Sequence, residues 1–164
     1  MRIAFIGGGN MGEAMLSAVL DKGLAMAGSI TVGDIDEARH QHLERKYGVV
    51  VLNSNRQAVG SADVVVLAIK PQNSDEVTAD LGGHLKPTQL VLSIIAGVRT
   101  NTLCQALNHG SLVRVMPNTP AQIGEGISVW TATAEVTKSQ REWTGSILRT
   151  MGKEIYVDDE KYID

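Results

Sequence analysis

The sequence predicts an α/β fold, in which a doubly wound and mostly parallel sheet of about eight strands carries helices on both faces. Short apolar runs alternate with stretches of helical periodicity from one end of the chain to the other, as in repeated βαβ units. The apolar runs contain few polar residues, which is expected of strands that helices cover on both faces. Hydrophobic residues at 43% and charged residues at 20% are ordinary values for a globular domain.

The N-terminal half contains three predicted strands and two predicted helices. In order, they are a strand at 2–6, a helix to about Lys22, a strand at 29–34, a helix to about Tyr47 and a strand at 49–51. Apolar residues recur at i, i+3, i+4, i+7 and i+8 from Met11, which indicates one buried helix face. Asp36 is the expected N-cap of the second helix.

The C-terminal half continues the alternation without a linker or an internal repeat. In order, the predicted elements are two helical turns within 53–61, a strand at 63–69, a helix at 74–85, a strand at 90–95, a helix at 100–107, strands at 112–116 and 126–131, a helix after Thr137 and a strand at 153–157. Pro71 cannot continue a central strand, so the chain leaves the sheet there. Thr137 and Gln140 have the spacing of a capping box. We therefore expect one compact unit.

Composition excludes several classes of function. A formal net charge of −3 argues against a nucleic-acid partner, because such proteins usually carry a basic excess. The longest apolar run, 64–69, is too short to cross a bilayer, so no membrane partner is expected. Cys104 is the one cysteine and cannot form an internal disulfide. We expect a cytoplasmic protein without a metal site, in which Cys104 is a small buried hydrophobe and the four scattered histidines lie on the surface.

The segment Gly7-x-Gly9-x-x-Gly12 is the main functional motif. It follows a predicted strand and opens an amphipathic helix, as in Rossmann-like dinucleotide-binding folds. Gly7 permits the tight turn, Gly9 allows a pyrophosphate to touch bare backbone, and Gly12 allows close packing of helix and strand. The helix N-terminus adds unpaired N–H groups and partial positive charge.

Asp34 lies 22 residues beyond Gly12, where a carboxylate can accept hydrogen bonds from both hydroxyls of an adenosine ribose. An acid there favours NAD over NADP, although Arg39 is close enough to weaken that preference, so both coenzymes remain open. A methyltransferase that uses S-adenosylmethionine also has a glycine-rich turn and an acid after the second strand. Its cofactor has no phosphate, so Gly12 favours the dinucleotide.

With three further stretches, the sequence resembles the pyrroline-5-carboxylate reductase family over residues 1–164. These stretches are Leu67-Ala68-Ile69-Lys70-Pro71, Ile95-Ala96-Gly97-Val98 and, most specifically, Arg114-Val115-Met116-Pro117-Asn118-Thr119-Pro120. The resemblance implies hydride transfer from NADPH or NADH to the imine carbon of 1-pyrroline-5-carboxylate, which yields L-proline in the last step of proline biosynthesis. Many relatives have a small polar residue where this chain has Asp34, which bears on the choice between the two coenzymes.

The resemblance also implies a set of cofactor-binding residues. They are Ile6, Gly7, Gly8, Gly9, Asn10, Met11 and Gly12 at the pyrophosphate, Asp34 and Asn55 near the adenosine, Ala68, Ile69, Lys70 and Pro71 along the dinucleotide, and Ala96, Gly97, Met116, Pro117 and Asn118 around the nicotinamide. Two of these residues have a plainer interpretation. The side chain of Lys70 is equally well explained as solvated, and Asn118, with Thr119, as stabilising a turn.

Family members continue into a helical domain that forms the dimer and supplies most substrate contacts. We therefore expect that residues 1–164 are the NAD(P)-binding domain, that catalytic and substrate-binding residues lie beyond residue 164, that the full-length protein is a homo-oligomer, and that the fragment alone is inactive. Other interpretations stay open: a small dehydrogenase of the same superfamily acting on a hydroxy acid, the methyltransferase, and a non-catalytic nucleotide-sensing module.

Overall fold

The fold is described from a computed structural model, for residues 1–118 and 125–163. The eight strands are β1 (Ile3–Ile6), β2 (Ile30–Gly33), β3 (Val50–Leu52), β4 (Val64–Leu67), β5 (Leu90–Ser93), β6 (Leu112–Met116), β7 (Gly126–Ala132) and β8 (Gly152–Tyr156). The longer helices are α1 (Asn10–Asp21), α2 (Glu37–Tyr47), α3 (Asn55–Val59), α4 (Ser74–Leu81), α5 (Thr100–Leu107) and α6 (Lys138–Arg149). Thr119 and Pro120 of the motif above lie outside the described residues.

The strands form one sheet in the order β3-β2-β1-β4-β5-β6-β7-β8. Strands β1 to β6 are parallel, β7 runs antiparallel to β6, and β8 is parallel to β7. The prediction of a doubly wound, mostly parallel sheet of about eight strands is confirmed. Because β4 pairs with the far side of β1, the chain winds outward from β1 in both directions, and this arrangement determines where the site lies.

The core consists of two apolar layers, one on each face of the sheet. Alternate residues of β1 divide between them, with Ile3 and Phe5 on one face and Ala4 and Ile6 on the other. Helices α1, α2 and α6 cover the first face, and α3, α4 and α5 cover the second. Because both faces are covered, β1 and β4 are apolar throughout and β5 has a single polar residue, Ser93. The sequence predicted such a scarcity of polar residues.

Local signals in the sequence located the helix starts correctly. The side chain of Asp36 accepts a hydrogen bond from the Ala38 amide, and Thr137 and Gln140 form a reciprocal capping box. Helix α4, in contrast, ends at Leu81 rather than at residue 85. The chain turns at Gly82, where a side chain would meet the Ala106 carbonyl oxygen at 2.9 Å, and continues through Gly83 with a φ of +79°.

Two expectations about single residues were wrong or incomplete. His40 and His109 are buried rather than on the surface, and their rings contact the carbonyl oxygens of Asp34 and Gln89, respectively. Cys104 is only partly buried. Within residues 1–118 and 125–163, no helix has the length and apolarity needed to cross a membrane, and no cluster of ligand-type side chains could hold a metal ion.

Candidate functional site

A cleft of about 740 Å³ opens at the carboxyl edge of the sheet. The segments that follow β1, β2, β3 and β4 line it, together with one face of α4. Strands β1 and β4 are neighbours in the sheet, but the chain leaves them toward opposite faces, so their ends diverge. Open α/β sheets bind ligands in the crevice at such a switch point.

The turn between β1 and α1 leaves no room for side chains at two positions. Gly7 has a φ of +92°, and a Cβ there would lie 2.6 Å from the carbonyl oxygen of Ala68. A Cβ on Gly12 would lie 2.8 Å from the carbonyl oxygen of Gly7. Glycine at these two positions is therefore required by the fold, because it lets α1 start directly against β1 and the end of β4.

Gly9 differs from its neighbours because the protein itself does not require glycine there. It is exposed, its φ is −73°, and a Cβ would meet no atom of residues 1–118 and 125–163 within 4 Å. Within the part of the chain that the structure describes, no side chain caps this end of α1, and the first N–H groups of a helix have no acceptor within the helix. The backbone around Gly9 thus faces the cleft with unpaired donors and the positive end of the helix dipole, which suits an anion such as a phosphate.

Asp34 lies at the opposite side of the glycine turn, immediately after β2. Its Oδ2 accepts a hydrogen bond of 2.8 Å from the Gly8 amide, and its Oδ1 accepts one of 2.9 Å from the Asp36 amide. These contacts fix the carboxylate at the wall of the cleft. Each carboxylate oxygen has a second lone pair, so Asp34 can still accept two hydrogen bonds from a ligand.

Glu13, in the first turn of α1, connects that helix to α2. Its carboxylate accepts hydrogen bonds from Arg39 Nη2 at 2.8 Å, His42 Nε2 at 2.8 Å and the Tyr47 hydroxyl at 2.7 Å. Burial alone would raise the pKa of Glu13, but the hydrogen bonds from His42, Arg39 and Tyr47 lower it to about 2. Glu13 is therefore ionised at every physiological pH.

The chain leaves β4 along the floor of the cleft. Ala68 still donates its amide to the Ile6 carbonyl at 2.8 Å, while Ile69 and Lys70 follow at the cleft wall. Lys70 is exposed. Pro71 then begins a short 3₁₀ turn that leads into α4. This part of the cleft combines bare backbone with the apolar side chains of Ala68 and Ile69.

The structure brings half of the predicted cofactor-binding residues together in this cleft. They are Ile6, Gly7, Gly8, Gly9, Asp34, Asn55, Ala68, Ile69 and Lys70. Asn10, Met11 and Gly12 form the first turn of α1 behind the glycine turn. Pro71 and Gly97 line a second, smaller cavity of about 330 Å³ between α4 and α5.

The remaining predicted residues lie further along the same edge and line neither cavity: Ala96 after β5, then Met116, Pro117 and Asn118 at the end of β6. The Oδ1 atom of Asn118 accepts a hydrogen bond of 3.0 Å from the Ile127 amide at the start of β7. This contact supports the plainer interpretation of Asn118 as a turn residue.

Several residues that line the cleft were not predicted. They are Ile35, Asp36, Arg39, Asn53, Asn73, Glu76, Val77 and Asp80, with Gly33 at the end of β2. A signal for Asn53 existed, because it follows β3 directly and the ends of parallel strands share one edge. The residues of α4 had no such signal, since only the packing of α4 against the sheet brings that helix face to the cleft.

Comparison with known proteins gives a consistent result. Residues 2–97 match the family model described as NADP oxidoreductase, coenzyme F420-dependent. The pyrroline-5-carboxylate reductase of Pseudomonas aeruginosa is 38% identical over 164 residues, which are 99% of this chain and 60% of that protein. The reductase of Vibrio alginolyticus has the same identity and coverage. The chain thus spans about 60% of the length of the curated relatives it matches.

A solved structure supports the same similarity. The pyrroline-5-carboxylate reductase of Coxiella burnetii superposes with a TM-score of 0.94 at 35% identity, over 99% of this chain and 60% of that one. The fold of this chain is therefore the fold of the corresponding part of that enzyme.

Proposed function

Because this chain belongs to the family described as NADP oxidoreductase, coenzyme F420-dependent, we propose that its cleft holds a nicotinamide dinucleotide, NAD or NADP. The observation that carries this proposal is Gly9, where a glycine that packing does not require faces the cleft beside the uncapped start of α1. A ligand phosphate in contact with the backbone explains why the position has no side chain.

The residues of the cleft fit the parts of such a coenzyme in order. The amides at the start of α1 would hold the diphosphate, and Asp34 would accept hydrogen bonds from the adenosine ribose. Asn55 lies beside Gly33, at the adenosine end of the cleft. Ala68, Ile69 and Lys70 would hold the coenzyme where it crosses the end of β4.

For the complete protein we propose the reduction of 1-pyrroline-5-carboxylate to L-proline, from the 38% identity to reductases of that name. When bound, the coenzyme supplies a hydride to the imine carbon, while the ring nitrogen carries a proton. The task of this chain is to bind and orient rather than to donate a strong acid, because a protonated ring imine accepts hydride readily. Ala96, Gly97, Met116, Pro117 and Asn118 are the proposed nicotinamide end.

We also propose which part of the complete protein has which function. Residues 1–164 would bind the coenzyme, and the part of the relatives that this chain does not span would supply the catalytic and substrate contacts and the homo-oligomer interface. The cytoplasmic location and the absence of nucleic-acid and membrane partners stay predictions from composition.

Binding of the coenzyme is tested with a pair of matched glycine variants. Gly9→Val places a side chain where the diphosphate is expected, and Gly28→Val places one on an exposed turn away from the cleft, where a Cβ also meets nothing within 4 Å. We expect calorimetric titration with NADH and NADPH to show at least about tenfold weaker binding for Gly9→Val and unchanged binding for Gly28→Val.

Two results would overturn the proposal. One is equal coenzyme affinity in the two variants, and the other is saturable binding of S-adenosylmethionine with no binding of either nicotinamide. The reaction is tested separately, by following coenzyme oxidation in the full-length protein with 1-pyrroline-5-carboxylate and with a panel of keto acids. Turnover of a keto acid but not of the imine would support the hydroxy-acid dehydrogenase instead.

A further inference from the structure

The adenosine end of the cleft has an uneven distribution of charge. Asp34 and Asp36 line it, and the cation from the same segment is Arg39 in the first turns of α2. Lys70 also lines the cleft, but it follows β4, whereas Asp34 follows β2. Because β1 lies between these strands, the two chain segments are about 10 Å apart, twice the strand spacing. Arg39 is therefore the cation that lies on the same chain segment as Asp34 and Asp36, and its pairing affects how readily this end accepts a further negative charge.

Arg39 is already engaged by the protein. Its Nη2 atom donates to Glu13 Oε2 at 2.8 Å and to the carbonyl oxygen of Gly8. The side chain is 26% exposed, and its Nε atom is buried with no hydrogen-bond partner among the described residues. The position of the guanidinium therefore depends on its Nη2 contacts, of which the ion pair with Glu13 is the one that carries charge.

Glu13 is a permanent partner for this arginine. Its side chain is 16% exposed and receives two further hydrogen bonds, from His42 and Tyr47, which anchor it to α2. Glu13 has lost its proton far below neutral pH, so its charge and the ion pair are present over the whole physiological pH range. Removing this ion pair from Arg39 thus requires a substitution of Glu13 rather than a change of pH.

We propose that Glu13 is a positioning residue for coenzyme choice. It holds Arg39 against the Gly8 carbonyl, so the positive charge of Arg39 is not available to offset the negative charges of Asp34 and Asp36. The cleft therefore prefers NADH to NADPH. This inference rests on the proposed function. The 2′-phosphate of NADPH carries one and a half to two negative charges near neutral pH, by analogy with other phosphate monoesters. Placed beside Asp34 and Asp36 while Arg39 is paired with Glu13, it is repelled, whereas the ribose hydroxyls of NADH can donate to Asp34.

The test measures dissociation constants for NADH and NADPH by calorimetry, on the full-length protein and its variants. We expect the wild type to bind NADH at least about tenfold more tightly than NADPH. Glu13→Gln keeps the shape of the side chain and removes its charge, so Arg39 loses its ion pair and is held by neutral acceptors alone. The variant is expected to reduce the ratio of the NADPH to the NADH dissociation constant by about fivefold or more. The change comes from tighter binding of NADPH, while the affinity for NADH changes less than about twofold.

Two further variants separate positioning from a general structural effect. Glu44→Gln removes the same charge from an exposed position of α2 and is expected to leave the ratio unchanged. The double variant Glu13→Gln with Arg39→Gln is expected to lose the gain in NADPH affinity, because the released cation is then gone.

Tighter binding of NADPH by the wild type would overturn the inference without any variant and would leave the proposed function intact. An unchanged ratio in a folded Glu13→Gln protein, verified by circular dichroism, would also overturn it. If the wild type bound neither coenzyme, the proposed function itself would fail, which is a distinguishable result.

Discussion

Gly12 packs against the carbonyl group of Gly7 so closely that a Cβ on Gly12 would lie 2.8 Å from the Gly7 oxygen. The same Cβ would lie 3.1 Å from the side chain of Ala68 at the end of β4. The contact joins the start of α1 to two neighbouring strands of the sheet. The glycine that closes the motif is thus a packing residue, whereas Gly9 is free of packing constraints.

Gly12→Ala is therefore expected to lower the free energy of unfolding by about 1–3 kcal/mol, because the added methyl group pushes α1 away from β1. This loss outweighs the gain of up to about 1 kcal/mol that alanine brings to a helix interior. Urea denaturation followed by circular dichroism measures the difference. Gly28→Ala, on an exposed turn, serves as the control and is expected to change stability by less than about 0.5 kcal/mol. A Gly12→Ala protein as stable as the wild type would contradict the packing role.

Much of the fold and of the glycine turn could be predicted from the sequence, because the signals for them are local. The order of strands and helices follows from apolar runs and helical periodicity, and the caps at Asp36 and Thr137 depend on residues two or three positions away. The glycine turn could be recognised for the same reason. The end of α4 was predicted too late. The helix ends where Gly82 lies so close to α5 that a Cβ would be 2.9 Å from the Ala106 carbonyl oxygen, and periodicity contains no signal for this close approach.

Most of the interactions that were missed join residues distant in the sequence. Glu13 lies 26 residues from Arg39 and 34 from Tyr47, so nothing in its own neighbourhood indicates that it connects α1 to α2. His40 is buried because α2 packs on the sheet, although its sequence surroundings are polar. The face of α4 in the cleft is a further example.

The ion pairs of Glu13 make stability depend on pH in the acid range. The pKa of Glu13 is about 2 in the folded protein and about 4.5 without its partners, so the folded state binds the proton less readily than the unfolded state. The stabilisation is complete above pH 4.5 and is lost as the pH falls toward 2. We expect it to amount to about 1–2 kcal/mol, after allowance for solvent screening of the partly exposed partners.

Urea denaturation of the wild type and of Glu13→Gln at several pH values between 7 and 2 tests this expectation. The variant is expected to be less stable at pH 7, and the difference between the two proteins is expected to shrink between pH 4.5 and 2. Parallel stability curves over that range would contradict the assignment of the acid dependence to Glu13.

Glu160 connects the C-terminal 3₁₀ turn (Glu160–Tyr162) to the sheet. Its carboxylate accepts hydrogen bonds from the Thr100 amide at 2.7 Å, at the start of α5, and from Arg114 Nη1 at 3.1 Å. Arg114 is only 1% exposed, so removal of an acidic partner leaves a buried charge less well compensated. We expect Glu160→Ala to lower the free energy of unfolding by about 2–4 kcal/mol.

Thermal and urea denaturation measure this effect, with Asp158→Ala as the matched control. Asp158 is an exposed acid of the same segment, and its removal is expected to cost less than about 0.5 kcal/mol. Equal stability of the two variants would show that the segment is not held to the sheet by Glu160.

Cys104 reports on the environment of α5. Burial raises the pKa of its thiol, and the negative charges of Glu135 and Glu160 raise it further. Because the thiolate is the nucleophile, iodoacetamide is expected to alkylate Cys104 in the native protein at pH 8 at least about threefold more slowly than it alkylates glutathione. Cys104 is the one cysteine of the sequence, so mass spectrometry of the intact chain follows the reaction directly.

Alkylation in urea is expected to reach the rate of a free thiol, because unfolding removes both the burial and the two charges. A native rate equal to that of glutathione would show that the thiol is not protected in this way.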